Sequence, residues 1–549
     1  MTRRNPFVIQ VGSLLFFVCL VLHASGQYNS NVWSADLGNG EYRNPIIHAD
    51  YSDPDVICVG SDYYMTASSF NCTPALPILH SRDLVNWSLV NYALPALVPD
   101  SVFSIPQHGK GVWAPCLRYH DGFYYIYWGD PDFGVYMVRT RDPRKDWEAP
   151  VLVLPGKGII DPSPLWDEDG KVYLVHAWAA SRAGVNSLLT VHRMNANGTQ
   201  VLDAGRHVFD GHDAHPTLEG PKFYKRNGYY YLLAPAGGVA TGWQLALRSK
   251  DIYGPYEEKI VLEQGKSAVN GPHQGGWVHT PLGEDWFIHF QEKNPYGRIL
   301  HLQPVQWVND WPLMGVDVDK NGIGEPVARY RKPRTAMPEK PQQPAESDEF
   351  NSDTLGLQWQ WHGNSKVVWS ALLRGKGYLR LFPVNQPAHA SNLWELPNLL
   401  MQKFPAPDFQ ATTKITWTIE RDAWQERKAG LLVSGNNYAY LAIAKDATGY
   451  KLMQVRCVKA ASGASEEIME ERRIAGPSAY LRVQVHAPDG QCQFSFSENG
   501  RTFEPIGPKF AAQPELWIAA KVGLFATAGS TVRHGGYADI DWFRIEKPE

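Results

Sequence analysis

The sequence predicts an all-β fold in two parts, a five-bladed β-propeller followed by a β-sandwich. Three observations point there. One supersecondary unit recurs five times before residue 300, a proline-rich stretch follows, and many short alternating strands lie beyond that break. Helical periodicity is nearly absent throughout.

The five units open at Asp53 (Asp-Pro-Asp-Val), Trp113 (Trp-Ala-Pro-Cys-Leu), Asp161 (Asp-Pro-Ser-Pro-Leu), Glu219 (Glu-Gly-Pro-Lys-Phe) and His273 (His-Gln-Gly-Gly-Trp). Each opening leads to a tight-turn signal and then an aromatic strand, as in Asp121-Gly122 before Phe123 to Trp128 and Asn227-Gly228 before Tyr229 to Leu233. Asx-Gly between such runs is the strongest short-range hairpin signal, and three units carry it. A hairpin plus further strands at a period of roughly 50 residues is the signature of propeller blades around a central channel. The unit starts then converge on one axis. Further strands such as Val135 to Thr140 and Trp243 to Arg248 alternate with period two, as strands with one face against the next blade should.

The propeller is expected over 41–336. Residues 337–346, with Pro338, Pro341 and Pro344, read as a semi-rigid linker. In 347–549, strands expected at Thr413 to Ile419, Ala429 to Val433, Tyr438 to Ile443, around Val483 and Phe494, at Leu516 to Phe525 and at Ile540 to Ile545 argue for a sandwich. At the other end, Arg3 and Arg4, the mostly apolar run Val8 to Leu22 and Ala24-Ser25-Gly26 predict a signal peptide over 1–26, hence a secreted or periplasmic protein. No later apolar run has the ~20 residues that span a bilayer. Beyond the signal remain Cys58, Cys72, Cys116, Cys457 and Cys492, a set too sparse for a disulfide framework. A bridge between Cys58 and Cys72 stays open.

A net charge of -4 over 549 residues gives no electrostatic footprint for nucleic acid. The 20 Trp, 26 Tyr and 21 Phe suit either propeller cores or the apolar faces of sugars. More telling are three acids at unit starts, Asp53, Asp161 and Glu219. Carboxylates gathered at one channel mouth repel, which pushes at least one pKa upward and lets an acid and a base coexist at one pH. Glycosidic bond hydrolysis needs such a pair, an acid for the leaving oxygen and a base for water.

Asn44-Pro45-Ile46, Tyr51-Ser52-Asp53-Pro54-Asp55, Gly111-Val112-Trp113-Ala114-Pro115, Ile160-Asp161-Pro162-Ser163-Pro164 and Leu218-Glu219-Gly220-Pro221, in this order, resemble glycoside hydrolase family 43. The resemblance runs from Tyr42 to about Arg331, and the tail is similar to the sandwich often appended to β-xylosidase-type members. It implies an inverting glycosidase with Asp53 as general base, Glu219 as general acid and Asp161 as the carboxylate that orients the acid and raises its pKa. Base and acid carboxyls then stand about 6.5–9.5 Å apart, leaving room for a water. Arg298 matches an arginine on the sugar hydroxyls, with a surface ion pair as the alternative. Trp113 matches a pocket wall, with a blade-core tryptophan as the alternative. His273 matches a histidine that binds calcium through water in many relatives, so a calcium ion is expected near it but is not required for the chemistry. Asp55 receives no chemical role. Glu349 and Asp541 resemble residues that hold a structural calcium in related sandwiches, and oxygen ligands suit that cation.

The reading is an exo-acting, inverting hydrolase that releases terminal β-D-xylose or α-L-arabinofuranose, or both, from plant cell-wall glycans. Xylan, arabinoxylan, arabinan and xyloglucan side chains are the candidate substrates. The alternative is a carbohydrate-binding propeller without catalysis, which would keep aromatic walls and need not keep three acids. The segment Pro95 to Gly111 is long enough to close one side of the pocket. The sandwich walls the site, binds polysaccharide or only stabilises the propeller.

Overall fold

The computed structural model describes Met1, Ser30 and residues 32–335, 337, 339–373, 375–387, 390–419, 427–529 and 536–548. The expected signal peptide, Met1 aside, and Pro338 of the linker lie outside the described residues. Five four-stranded antiparallel sheets follow one another along the chain. Blade I comprises Asp55–Val59, Asp62–Thr66, Ala75–Ser81 and Ser88–Leu94, and blade II Trp113–His120, Phe123–Asp130, Gly134–Thr140 and Val151–Pro155. Blade III comprises Ile159–Trp166, Val172–Trp178, Leu188–Met194 and Arg206–Asp210. Blade IV comprises Lys222–Arg226, Tyr229–Ala236, Trp243–Ser249 and Glu257–Leu262. Blade V comprises His273–His279, Asp285–Lys293, Gly297–Val308 and Trp311–Met314. The strand Glu41–Arg43 pairs with Arg329–Arg331 and ties the two ends of the propeller together.

The predicted hairpin turns form as their residues dictate. His120 pairs with Phe123 and Arg226 with Tyr229, so each turn has two central residues. Asp121 and Gly122 have φ of 46° and 76°, and Asn227 and Gly228 51° and 73°, the left-handed pair a type I′ turn requires. Asp169-Gly170 instead lies in a longer connection between Trp166 and Val172.

Period-two alternation in the second strands explains the wealth of aromatic residues. In blade II, Tyr124, Ile126 and Trp128 pack with Tyr64 and Ile78 of blade I, while Tyr125 and Tyr127 pack with Val172 and Leu174 of blade III. In blade IV, Leu232 joins Val175 and Val191 of blade III, and Leu233 joins Phe287 and Met314 of blade V. Val56 and Met65 of blade I meet Ile288 and Phe290 of blade V. Both faces of every blade are therefore buried, each such side chain contributing about 1.5–3 kcal/mol.

The C-terminal domain is two eight-stranded sheets. One includes Lys521–Ala528, Lys428–Ser434, Tyr438–Asp446, Gly449–Cys457 and Glu467–Arg473, and the other Tyr537–Glu546, Phe409–Thr418, Ser478–His486 and Gln491–Ser497. Leu431, Leu441, Leu481, Phe494 and Phe543 meet between them. The first sheet buries its outer face as well, where Leu432, Tyr440 and Phe525 pack with Trp394.

Propeller and sandwich are joined by direct hydrogen bonds. Asn71 Nδ2 donates to the His362 carbonyl (3.0 Å), Thr73 Oγ1 to that of Gly363 (2.6 Å) and Tyr296 Oη to that of Pro407 (2.7 Å). The Ala519 N–H donates to Asp50 Oδ2 at 3.0 Å. The Cys58–Cys72 bridge left open by the sequence does not form, since both are free thiols. Cys58 Sγ faces the Gly60 carbonyl within its own hairpin, while Cys72 Sγ lies in the domain interface, 2.7 Å from Lys521 Nζ.

Candidate active site

Within two residues of the start of each blade's first strand lies a residue in the left-handed region, Asp53 (φ 54°), Ala114 (36°), Asp161 (57°), Gly220 (59°) and Gln274 (36°). Four of them precede proline, and Gln274 precedes Gly275. In blades II, III and V the ladder slips here, between Trp113 and Cys116, Ile160 and Ser163, and His273 and Gly275. Such a bulge leaves a residue unpaired and re-aims its side chain out of the strand alternation. A non-glycine residue pays ~1–2 kcal/mol for this backbone, and four of the five are non-glycine.

These kinks correct the frame in which the sequence aligned the units. Aligned on Pro54, Pro115, Pro162 and Pro221, Asp53 and Asp161 are equivalent, whereas Trp113, Glu219 and His273 each stand one residue earlier. All three acids nonetheless line one cavity of about 310 Å³, together with Phe70, Trp113, Gln274, Arg298 and Trp517. That volume lies at the small end of ligand pockets. It suits a short sugar chain end.

Asp53 Oδ2 accepts from Ser52 Oγ (2.7 Å) and Ser68 Oγ (2.6 Å), and Arg298 Nη1 lies 3.2 Å from Oδ1. Three donors thus meet this one carboxyl group. Arg298 is not a surface ion pair. It is 6% exposed, its Nη1 also donates to Ser52 Oγ (2.6 Å), and its own N–H is fixed on Asp50 Oδ1 (2.9 Å).

Asp161 Oδ2 accepts the Gly220 N–H at 2.7 Å. Burial, then the charge of the adjacent Glu219, pushes the Asp161 carboxyl well above the usual carboxylate range. Asp161 therefore holds its proton to a higher pH than an ordinary carboxyl. Glu219 has a partly exposed side chain, with Oε1 3.0 Å from His273 Nε2. His273 is fully buried, and its Nδ1 has no hydrogen-bond partner. With Nε2 donating to Glu219, Nδ1 is a bare acceptor that a water would satisfy. Calcium takes about six to eight oxygen ligands, so a cation here fits through water.

Trp113 lines the cavity and also packs against blade-core residues. It is half-buried, and its Nε1 donates to the Gly109 carbonyl at 2.8 Å. Asp55 lies beneath the acids. Its Oδ2 accepts from the Leu117 N–H (2.8 Å) and Arg118 Nη1 (2.7 Å), Arg118 Nη2 reaches Ser163 Oγ (3.0 Å), and that hydroxyl accepts the Phe223 N–H (2.9 Å). This layer links blades I to IV. Removing one partner of such a buried ion pair typically costs about 3–5 kcal/mol.

Ser52, Ser68, Phe70, Gln274 and Trp517 are among the residues that sequence reasoning missed. Trp517 comes from the sandwich, with a left-handed φ of 65° and its ring 5.4 Å from the Arg298 guanidinium. The strand expected at Leu516 to Phe525 begins only at Lys521, and 516–518 form a loop over the cavity. Of the three roles left open, the sandwich therefore takes at least that of walling the pocket. The segment Pro95 to Gly111 supports this loop, since Gly109 sits so close to Leu516 that an added Cβ would come within 2.9 Å of its Cδ2.

The two expected sandwich calcium ligands are each engaged by a side-chain cation. Glu349 Oε1 and Oε2 accept from Arg544 at 2.6 and 2.9 Å, and Asp541 Oδ2 pairs with Lys414 Nζ at 2.6 Å. Each carboxylate already has its own cation.

A propeller whose three acids Asp53, Asp161 and Glu219 line one small pocket, with Asp53 held by three donors, presents the groups that acid–base hydrolysis needs. Residues 42–312 match Glycosyl hydrolases family 43, and residues 347–546 match the β-xylosidase C-terminal concanavalin A-like domain. A putative β-xylosidase of Xylanibacter ruminicola is 38% identical over 90% of this chain and 87% of its own. A non-reducing-end α-L-arabinofuranosidase of Bacteroides ovatus is 32% identical over 66% and 68%. The crystal structure of a xylan β-1,4-xylosidase from Bacillus halodurans C-125 superposes with a TM-score of 0.79 at 25% identity, covering 92% of this chain and all of that one. The chain belongs to glycosyl hydrolases family 43, and it is a glycoside hydrolase.

Proposed function

We propose that the enzyme removes one terminal pentose, β-D-xylosyl or α-L-arabinofuranosyl, from plant cell-wall glycans by a single inverting displacement. The observation that carries this is the separation of duties in the pocket. Asp53 is held by Ser52, Ser68 and Arg298, the Asp161–Glu219 pair by Gly220 and His273, and among the described residues the two sets share no hydrogen-bond partner. Asp53 takes a proton from a water as its oxygen attacks the anomeric carbon. The bond to the leaving oxygen breaks, and Glu219, as the general acid, delivers a proton to that oxygen. Arg298 orients the sugar hydroxyls, and Phe70, Trp113 and Trp517 offer apolar faces to the ring. Closure by Trp517 favours chain ends over internal bonds. The names of the relatives favour xylosides and arabinofuranosides, and the expected signal peptide favours action outside the cytoplasm, on xylan, arabinoxylan, arabinan or xyloglucan side chains.

The test is stereochemical. A β-D-xyloside should release α-D-xylose first, and an α-L-arabinofuranoside β-L-arabinose, read by proton NMR before mutarotation. A retained anomer, or transfer to methanol with retained configuration, would require a covalent intermediate and remove Asp53 as base.

A hydrated calcium ion at His273 Nδ1 would act on Glu219 electrostatically and by position. Chelation should then lower turnover partly at most, with calcium restoring what is lost. Complete loss restored by calcium, with the fold unchanged, would make the ion essential to the chemistry.

A further inference from the structure

We propose a second metal site, for a zinc-type dication, where the propeller meets the sandwich at the base of the Trp517 loop. Its ligands are His108, His362 and Glu515. His108 belongs to the segment between blades I and II, His362 directly follows the strand Gln360–Trp361, and Glu515 begins the loop that carries Trp517. Their ligand atoms lie within 4.8 Å of one another.

The polarity of the three groups calls for a cation. His108 Nε2 lies 3.0 Å from the Trp394 carbonyl, and His362 Nδ1 lies 3.1 Å from the Leu396 carbonyl. A carbonyl only accepts, so both nitrogens carry the proton. In the neutral tautomers His108 Nδ1 and His362 Nε2 are then lone pairs, and both are turned on Glu515. They stand 3.2 Å from Oε2 and 3.6 Å from Oε1. His362 is 1% exposed and its Nε2 has no hydrogen-bond partner. The Glu515 side chain is also 1% exposed, and among the described residues only these two rings lie within ion-pair reach of it. A buried, acceptor-only carboxylate facing two acceptors is not stable as it stands.

Two imidazolium protons would be one remedy, but charge-assisted bonds of that kind are about 2.7–2.9 Å long. The observed separations are longer. The His108 Nδ1–Oε2 separation is close to the edge of a tetrahedron with arms of ~2.0–2.1 Å, which is about 3.3 Å, while His362 Nε2 stands on the other carboxylate oxygen, with the three ligand atoms within 4.8 Å of one another. Both rings already have the outer-shell bond to a backbone carbonyl that fixes the tautomer of metal-bound histidines. Two imidazoles and one carboxylate suit zinc and its neighbours, not calcium, and water would be the fourth ligand. The Glu515 N–H donates to the Ile518 carbonyl at 2.8 Å, closing the loop with Trp517 at its tip. A metal on Glu515 thus fastens the pocket wall to the propeller.

The test uses untagged full-length enzyme, stripped by chelator and titrated with cobalt(II). One equivalent should bind with the visible d–d bands of a four-coordinate N/O site, zinc should displace it, and calcium in excess should not. His108→Ala, at the most accessible ligand, and Glu515→Gln should each weaken cobalt binding more than about 100-fold, beyond the 10–100-fold that an outer-shell loss costs. His273→Ala should leave it unchanged. Circular dichroism establishes folding of each variant, and the wild-type titration stands even if one fails to fold. Absence of a stoichiometric site in the wild type, a six-coordinate spectrum, or cobalt binding unaltered in folded His108→Ala would overturn the proposal.

Discussion

Replacing Asp53 with asparagine should lower turnover by about 10²–10⁴-fold, the usual contribution of a positioned base, or about 2.7–5.4 kcal/mol of barrier. Asparagine is among the few residues at home in the left-handed region, so the backbone at φ 54° has little reason to move. Its amide oxygen still accepts from Ser52 or Ser68, and Arg298 keeps its bonds to Ser52 and Asp50. What disappears is an oxygen able to take the proton of water. Turnover should therefore fall far more than KM changes, as for an interaction made only in the transition state. The measurement is kcat and KM on an aryl xyloside and an aryl arabinofuranoside, with unfolding curves to establish the fold. A near-normal rate in folded protein would exclude Asp53 as base.

Much of this site was legible because its geometry is written locally. A left-handed residue before proline recurs at Asp53, Ala114, Asp161 and Gly220, so the motif that names the acids also sets the backbone kink beside them. Reading Trp113, Glu219 and His273 as openings put the frame one residue off, since the kink rather than residue polarity is what repeats. Trp517 was illegible for a different reason: it reaches the pocket from a domain more than 200 residues beyond Arg298, and no local pattern records that approach. Its apolar neighbours Leu516 and Ile518 instead imitate a strand. In the sandwich, Glu467–Arg473 escaped notice because its alternation is almost wholly charged. It lies at the end of its sheet, where charges guard against further pairing. The His108, His362 and Glu515 cluster joins three segments that only the docking of the two domains brings together.

Glu219→Gln should separate proton delivery from everything else the pocket does. Glutamine keeps an oxygen for the His273 Nε2–H, at the place where Glu219 Oε1 now lies 3.0 Å away, so His273 need not move. With an oligosaccharide the leaving oxygen is a poor one and must be protonated as the bond breaks, so turnover should drop by about 10²–10⁴-fold. A dinitrophenyl xyloside departs with little protonation and should be cleaved at a rate much closer to wild type. The same contrast fixes the pH dependence. Burial and the Glu219 charge raise the Asp161 carboxyl, so Asp161 holds its proton at low pH and loses it as pH rises through that elevated range. Wild-type activity on oligosaccharides should therefore decline on the alkaline side, and the variant acting on the dinitrophenyl substrate should not show that decline. Equal losses on both substrates would mean that Glu219 positions the sugar or supports the fold instead of supplying the proton, and the acid would have to be sought in Asp161.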